Sequence, residues 1–171
     1  MSWKVLIERG NLEFSAAHFI TFEGECEPLH GHNYGVRVEA EGELSPDSYV
    51  FNFVTLKDIV RTLCKEWDHR FLLPLHNPHL RISEREDSWD IVYDESTQYS
   101  LPKSSVTSLP IDNATAERLA ERLAGRIADH LRAIGAGGTL TRLTVGIEET
   151  AMQTAFYTLD LRGEPHERSP G

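Results

Sequence analysis

"CEPLHGHNYGVRVEAEG", residues 26–42, changes character halfway along its length. The second half alternates. Tyr34, Val36, Val38 and Ala40 fall on one side, with Arg37, Glu39 and Glu41 on the other, the period-2 pattern of a strand with one buried face. The first half sets Cys26, His30 and His32 within seven positions. Two residues apart, His30 and His32 share one face of an extended chain, and it is the face of Tyr34 and Val36. An imidazole aimed into an apolar interior needs a partner there.

Toward the N-terminus, residues 2–9 alternate Trp3, Val5 and Ile7 against Lys4, Leu6 and Glu8. In residues 12–20, Phe14, Ala16, His18 and Ile20 share one parity. Both read as strands. Toward the C-terminus the period changes: Leu56, Ile59, Val60, Leu63, Cys64 and Trp67 form the stripe of an amphipathic helix that ends near "WDHR". Residues 74–110 carry no helical period, and "WDIVYDESTQYSL" reads as a hairpin in a surface insert of about 81–108. A second helix follows in "NATAERLAERLAGRIADHLRAIGAGG", capped by Asn113 or Thr115 and stopped at Gly135. "TRLTVGIEE" and "QTAFYTLDL" close the fold as two strands. The expected architecture is α+β: a single domain over residues 1–162, an antiparallel sheet with both helices on one face, and a disordered tail at 163–171. A four-stranded sheet leaves open edges, which points to pairing between copies.

Composition narrows the function. The 171 residues are 40% hydrophobic and 26% charged, enough for a core in one domain. A net charge of −10 without a basic run argues against nucleic acid. No apolar run approaches the ~20 residues of a membrane span, and the N-terminus lacks a signal-peptide pattern, so a cytoplasmic protein is expected. Cys26 and Cys64 are not expected to form a disulfide there. Cys64 sits in the helix stripe and reads as core.

His18 points inward beside His30 and His32. Three histidines with an open position form the pattern of a catalytic zinc site, whereas an H-x-H pair by itself is commonly solvated. Cys26, in the loop before the strand, reads as a fourth ligand, a proton-transferring thiolate or a buried bystander. Asp68 and His69 read either as an acid/base pair or as a helix terminus favoured by the dipole. Glu149 continues the face of Leu143, Val145 and Ile147, whereas Glu148 continues that of Arg142 and Thr144. A carboxylate on the apolar face is costly unless it is engaged, which makes Glu149 the candidate to grip an N–H edge of a heterocycle. His76, His79, His130 and His166 are not expected to be ligands.

In order, "FSAAHF", "CEPLHGHNY", "WDHR", "NATAERLA" and "EETAMQTAFY" resemble the 6-pyruvoyl-tetrahydropterin synthase / 6-carboxy-tetrahydropterin synthase family. The resemblance implies the tunnelling fold: ββααββ subunits that pair strands into a barrel, commonly a homo-hexamer of two trimers with active sites between subunits. It implies Zn2+ on His18, His30 and His32. It also implies a catalytic set of Cys26, Asp68 and His69, a pterin anchor in Glu149, and a pterin contact from a neighbouring subunit's Thr115. The implied reaction converts 7,8-dihydroneopterin triphosphate to 6-carboxy- or 6-pyruvoyl-tetrahydropterin.

Three features depart from the family pattern. Asn52 stands where an Asp is usual, the stretch 81–108 is extra, and the chain is acidic where a triphosphate site is expected to be basic. Retro-aldol cleavage of unphosphorylated dihydroneopterin to 6-hydroxymethyl-dihydropterin is therefore an alternative. A zinc hydrolase and a non-catalytic binding protein are two further classes.

Overall fold

Strands β1 (Trp3–His18) and β4 (His30–Gly42) pair antiparallel from Trp3↔Gly42 to His18↔His30. The computed structural model describes residues 2–95, 97–136 and 139–162, so the expected disordered tail lies outside the described residues. The two strands read near the N-terminus are one, interrupted by a bulge. Glu8 pairs with Arg37 and Glu13 with Gly35, so residues 9–12 of β1 stand opposite Val36 alone. Gly10 and Asn11 take positive φ of 64° and 70°, which glycine and asparagine tolerate best. The odd surplus flips the strand's parity. Before the bulge Ile7 is buried; from the last residue of the bulge onward Leu12, Phe14, Ala16 and His18 are.

After the short hairpin β2 (Thr21–Phe22) and β3 (Glu25–Cys26), and after β4, comes helix α1 (Phe53–Trp67). It buries Leu56, Val60, Leu63, Cys64 and Trp67. Asn52 is its N-cap, and its side-chain oxygen accepts from the N–H groups of Val54 (2.8 Å) and Thr55 (3.2 Å). The amide thus does the capping that an Asp would do. Helix α2 (Ala116–Ala133) starts at the cap Thr115, buries Leu119, Leu123, Ile127 and Leu131, and ends just before Gly135 at φ 73°. Strands β10 (Leu140–Thr150) and β11 (Gln153–Asp160) complete the chain.

The main sheet has six strands and is mixed, not purely antiparallel. The additions are β5 (Arg70–Pro74) and β9 (Val106–Leu109), which run parallel to β1 in the order β11-β10-β4-β1-β5-β9. Strand β5 is an unbroken apolar run without alternation, because both of its faces are covered, as is usual for parallel strands. Leu72 joins the helix-side core, whereas Phe71 and Leu73 join a second core on the other face.

That second core is roofed by a separate antiparallel sheet of β6 (Arg81–Glu84), β7 (Ser88–Val92) and β8 (Gln98–Pro102). The expected hairpin is β7–β8, with Trp89 opposite Leu101. Of the expected insert at about 81–108, β6, β7 and β8 form this separate sheet, while β9 begins within it and joins the main sheet. On the face away from the helices the main sheet carries ion pairs, Lys4–Glu39 at 2.8 Å and Arg37–Glu148 at 2.6 Å among them. Among the described residues no helix is long and apolar enough to cross a membrane.

Leu72→Ala and Leu73→Ala are both expected to cost about 2–5 kcal/mol in urea unfolding, because each empties a different core. A Leu73→Ala variant within about 0.5 kcal/mol of wild type would contradict the two-sided burial.

Candidate active site

The β1–β4 register sets His18 opposite His30, with Ala16 opposite His32. The Nε2 atoms of His18 and His30 are 3.1 Å apart, and one ring nitrogen from each of His18, His30 and His32 lies within 4.8 Å of the other two. Two backbone carbonyls orient the rings. His18 Nδ1 lies 2.8 Å from the oxygen of Ala114, and His30 Nδ1 lies 2.9 Å from that of Pro28. A carbonyl only accepts, so each Nδ1 carries the proton and each Nε2 keeps its lone pair for the centre. Gly31 leaves the strands room to close, since a Cβ there would stand 3.0 Å from the Ala16 oxygen. Burial lowers the pKa of His18, against the pull of the Ala114 carbonyl and Glu149, and favours the neutral ring that a metal ligand requires. Three imidazoles open on one side suit a borderline divalent ion such as zinc.

The open side is a cavity of about 530 Å³, lined by His18, His30, Glu149 and residues of α2 and β11. Glu148 and Glu149 part as their parity requires. Glu148 turns outward to Arg37 at 2.6 Å. Glu149 turns inward, with Oε1 3.4 Å from His18 Nε2, 3.8 Å from His32 Nε2 and 3.4 Å from the Tyr34 hydroxyl, which donates to it. Tyr34 stacks on Phe14 at 4.8 Å, and burial followed by Glu149 pushes its pKa upward. Thr115 lines the cavity of its own chain. It is also the α2 cap, accepting from the Arg118 N–H at 3.4 Å.

Glu27 lines the same cavity and was missed in the sequence. A carboxylate next to Cys26 and three residues before His30 was the available signal. Pro28 interrupts the alternation there and hid its direction. Glu27, Glu117 and Glu149 line the cavity, and among the described residues no Lys or Arg does.

The remaining candidates lie elsewhere. Cys26 sits in β3, opposite Thr21, and not in an open loop; it is half-buried against the second core. Burial, then Asp94 and Glu27, push its thiol up. Cys64 is core, with burial pushing its thiol up to about 12. Asp68 and His69 are paired at 2.9 Å, but His69 is 82% exposed and is not among the described residues that line the cavity at His18. The dyad is nevertheless fixed. Asp68 accepts from the Ser15 N–H at 2.8 Å, the His69 N–H donates to the Ser15 oxygen at 2.6 Å, and His69 holds φ 56°. The Ser15 N–H, and then His69, hold the Asp68 carboxyl below the usual carboxylate range.

Titration with Co2+ is expected to give a visible band typical of low coordination number in the wild type, and none in His18→Ala or His32→Ala. The depressed Asp68 pKa means that its charge stabilises the fold above about pH 4, a contribution lost as pH falls. Asp68→Asn is therefore expected to unfold more readily than wild type near pH 6, with the gap narrowing toward pH 3.

The family model described as 6-pyruvoyl tetrahydropterin synthase matches residues 8–160. A Methanocaldococcus jannaschii protein with the provisional name 6-carboxy-5,6,7,8-tetrahydropterin synthase is 37% identical over 85% of this chain and 89% of its own. A Pyrococcus furiosus protein named dihydroneopterin monophosphate aldolase is 42% identical over 42% of this chain and 67% of its own. The crystal structure of Plasmodium vivax 6-pyruvoyl tetrahydropterin synthase superposes with a TM-score of 0.88 at 30% identity, covering 94% of this chain and 99% of that one. A further structure of the Plasmodium vivax enzyme carries alanine at a glutamate described as a catalytic residue. With its tunnelling fold and a match spanning nearly its whole length, the chain belongs to the 6-pyruvoyl tetrahydropterin synthase family and is an enzyme of tetrahydropterin synthase type.

Proposed function

We propose that this enzyme is a zinc-dependent lyase acting on the three-carbon side chain of a 7,8-dihydroneopterin, with the triphosphate as substrate and a 6-carboxy- or 6-pyruvoyl-tetrahydropterin as product. The observation that carries this reading is the convergence of three imidazoles at the end of a cavity faced by Glu149. His18, His30 and His32 would hold Zn2+, which when bound supplies Lewis-acid polarisation of the side-chain oxygens. Glu149 accepts from the N–H edge of the ring, and Thr115 contacts it from α2. Cys26 and His69 exchange protons between carbon and oxygen, and Asp68 orients His69.

The Asp68–His69 dyad stands where β1 gains its only β5 pairing, at Ala16 and Ala17. The earlier part of β1 is paired on its β4 side alone, and β11 is the outer strand of the sheet beside the cavity. Pairing of those edges between copies brings the dyad of one chain to the cavity of the next, in the hexameric assembly of the family. Mixing inactive Cys26→Ala and His69→Ala proteins under exchange conditions is expected to restore part of the activity. No recovery in proven mixed oligomers would place both residues in one chain's site.

A second reading is favoured by Glu27 in a cavity that, among the described residues, no Lys or Arg lines. It is also favoured by one relative's aldolase name and by the catalytic glutamate of another. Here the proton of the hydroxyl on the second side-chain carbon of dihydroneopterin passes to Glu27. The bond to the first carbon breaks, its electrons enter the ring imine, and a proton returned to that carbon completes 6-hydroxymethyl-dihydropterin and glycolaldehyde.

Mass spectrometry of products from dihydroneopterin and from its triphosphate separates the readings. Cys26→Ala is expected to lower carboxy or pyruvoyl product by about 10²-fold, and Glu27→Gln to lower glycolaldehyde to a similar degree. Turnover unaffected by Cys26→Ala points instead to a hydrolase, and pterin bound without turnover points to a binding protein.

A further inference from the structure

We infer that the β6–β8 sheet positions the reactive segment 18–27, with Tyr99 as the positioning residue. The consequence for turnover rests on the function proposed above; the placement of the segment does not.

The register aligns Ile82, Ile91 and Tyr99 in one row across the three strands, with Trp89 and Leu101 in a second row. This apolar face packs on Phe19, Phe71 and Leu73. Phe19, 1% exposed, contacts both Tyr99 (stacked, ring centroids 5.5 Å apart, planes at 23°) and Phe71 (5.4 Å). Phe19 directly follows His18. The chain is therefore held in the second core by one residue and in the metal cluster by its neighbour.

The same cluster holds the far end of the segment, because the Cys26 side chain packs into it. Asp94, in the β7–β8 connection, acts electrostatically on that thiol. Between the two ends the hairpin is stiff. Glu23 and Gly24 both have positive φ, 50° and 82°, the requirement of a tight two-residue turn. Buried Thr21 accepts from Asn77 at its hydroxyl (2.9 Å) and from Asn113 at its carbonyl (2.8 Å). A stiff hairpin moves as one piece. The Cys26 thiol packs in the second core while Glu27 lines the cavity, so a tilt on the Phe19 support displaces both groups together.

The test uses the zinc-loaded full chain and Tyr99→Leu, which removes the ring, and Tyr99→Phe, which keeps it. Alkylation of Cys26 by iodoacetamide is followed by peptide mapping, with buried Cys64 as the internal control. Tyr99→Leu is expected to raise the Cys26 alkylation rate several-fold and to lower kcat about tenfold, with KM within about twofold. Tyr99→Phe is expected to match wild type in both, since the stack needs the ring and not the hydroxyl. A folded Tyr99→Leu protein with wild-type alkylation overturns the inference, as does a Tyr99→Phe protein as damaged as Tyr99→Leu. Should Tyr99→Leu fail to fold, Leu101→Val asks the same question from the neighbouring row and is read by the same outcomes. Alkylation does not depend on the substrate, so a chain that turns over no pterin leaves this result standing while removing the proposed function.

Discussion

The pairing of β1 with β4 is the constraint on which the site depends. One strand supplies a single imidazole, the other supplies two, and only one register brings them together. The bulge at residues 9–12 makes that register compatible with a core. Without an odd surplus, burying Ile7 would send His18 to the ion-paired face of the sheet. With it, Ile7, Phe14 and His18 all face the helices. The residues that permit the bulge contribute nothing to chemistry; they let one strand serve two parities.

From this register the site extends by ordinary hydrogen bonds. The Ala114 carbonyl at the head of α2 fixes the ring of His18, and the next residue, Thr115, caps the helix and lines the cavity. Asn113 ties the same helix head to the β2–β3 hairpin. His18, hairpin and helix are thus held by one short run of chain. The cavity they enclose is rich in carboxylates. Among the described residues its only potential local counter-charges are imidazoles, which burial keeps neutral in the case of His18. A bound cation would be the main compensation for Glu27, Glu117 and Glu149, so electrostatics and donor geometry favour the same kind of occupant.

Much of this was legible in the sequence because it rests on period. Strict alternation identified β4 and its inward histidines, and the same logic separated Glu149 from Glu148. The stripe from Leu56 to Trp67 and the repeat from Leu119 to Leu131 gave both helices. What escaped was what period does not encode. Strand β5, "RFLLP", is covered on both sides and shows no alternation. Strand β9 earns its place in the sheet only by pairing with β5, a contact more than thirty residues away in sequence. The cavity-facing direction of Glu27 was hidden behind Pro28, where the chain is neither helix nor ladder. The surroundings of Cys26 depend on an insert whose docking no local pattern announces.

Strand β5 has a wider meaning for the molecule. Its alternate side chains are shared between the helix-side core (Leu72) and the core under β6–β8 (Phe71 and Leu73), so neither core can be dismantled without exposing one side of the same strand. An appended sheet joined in this way is not a module that opens by itself. Its unfolding is coupled to that of the whole domain, because both cores rest on the same strand. What resembles a surface decoration in the sequence is, in cooperative terms, part of the same folding unit as the ligands.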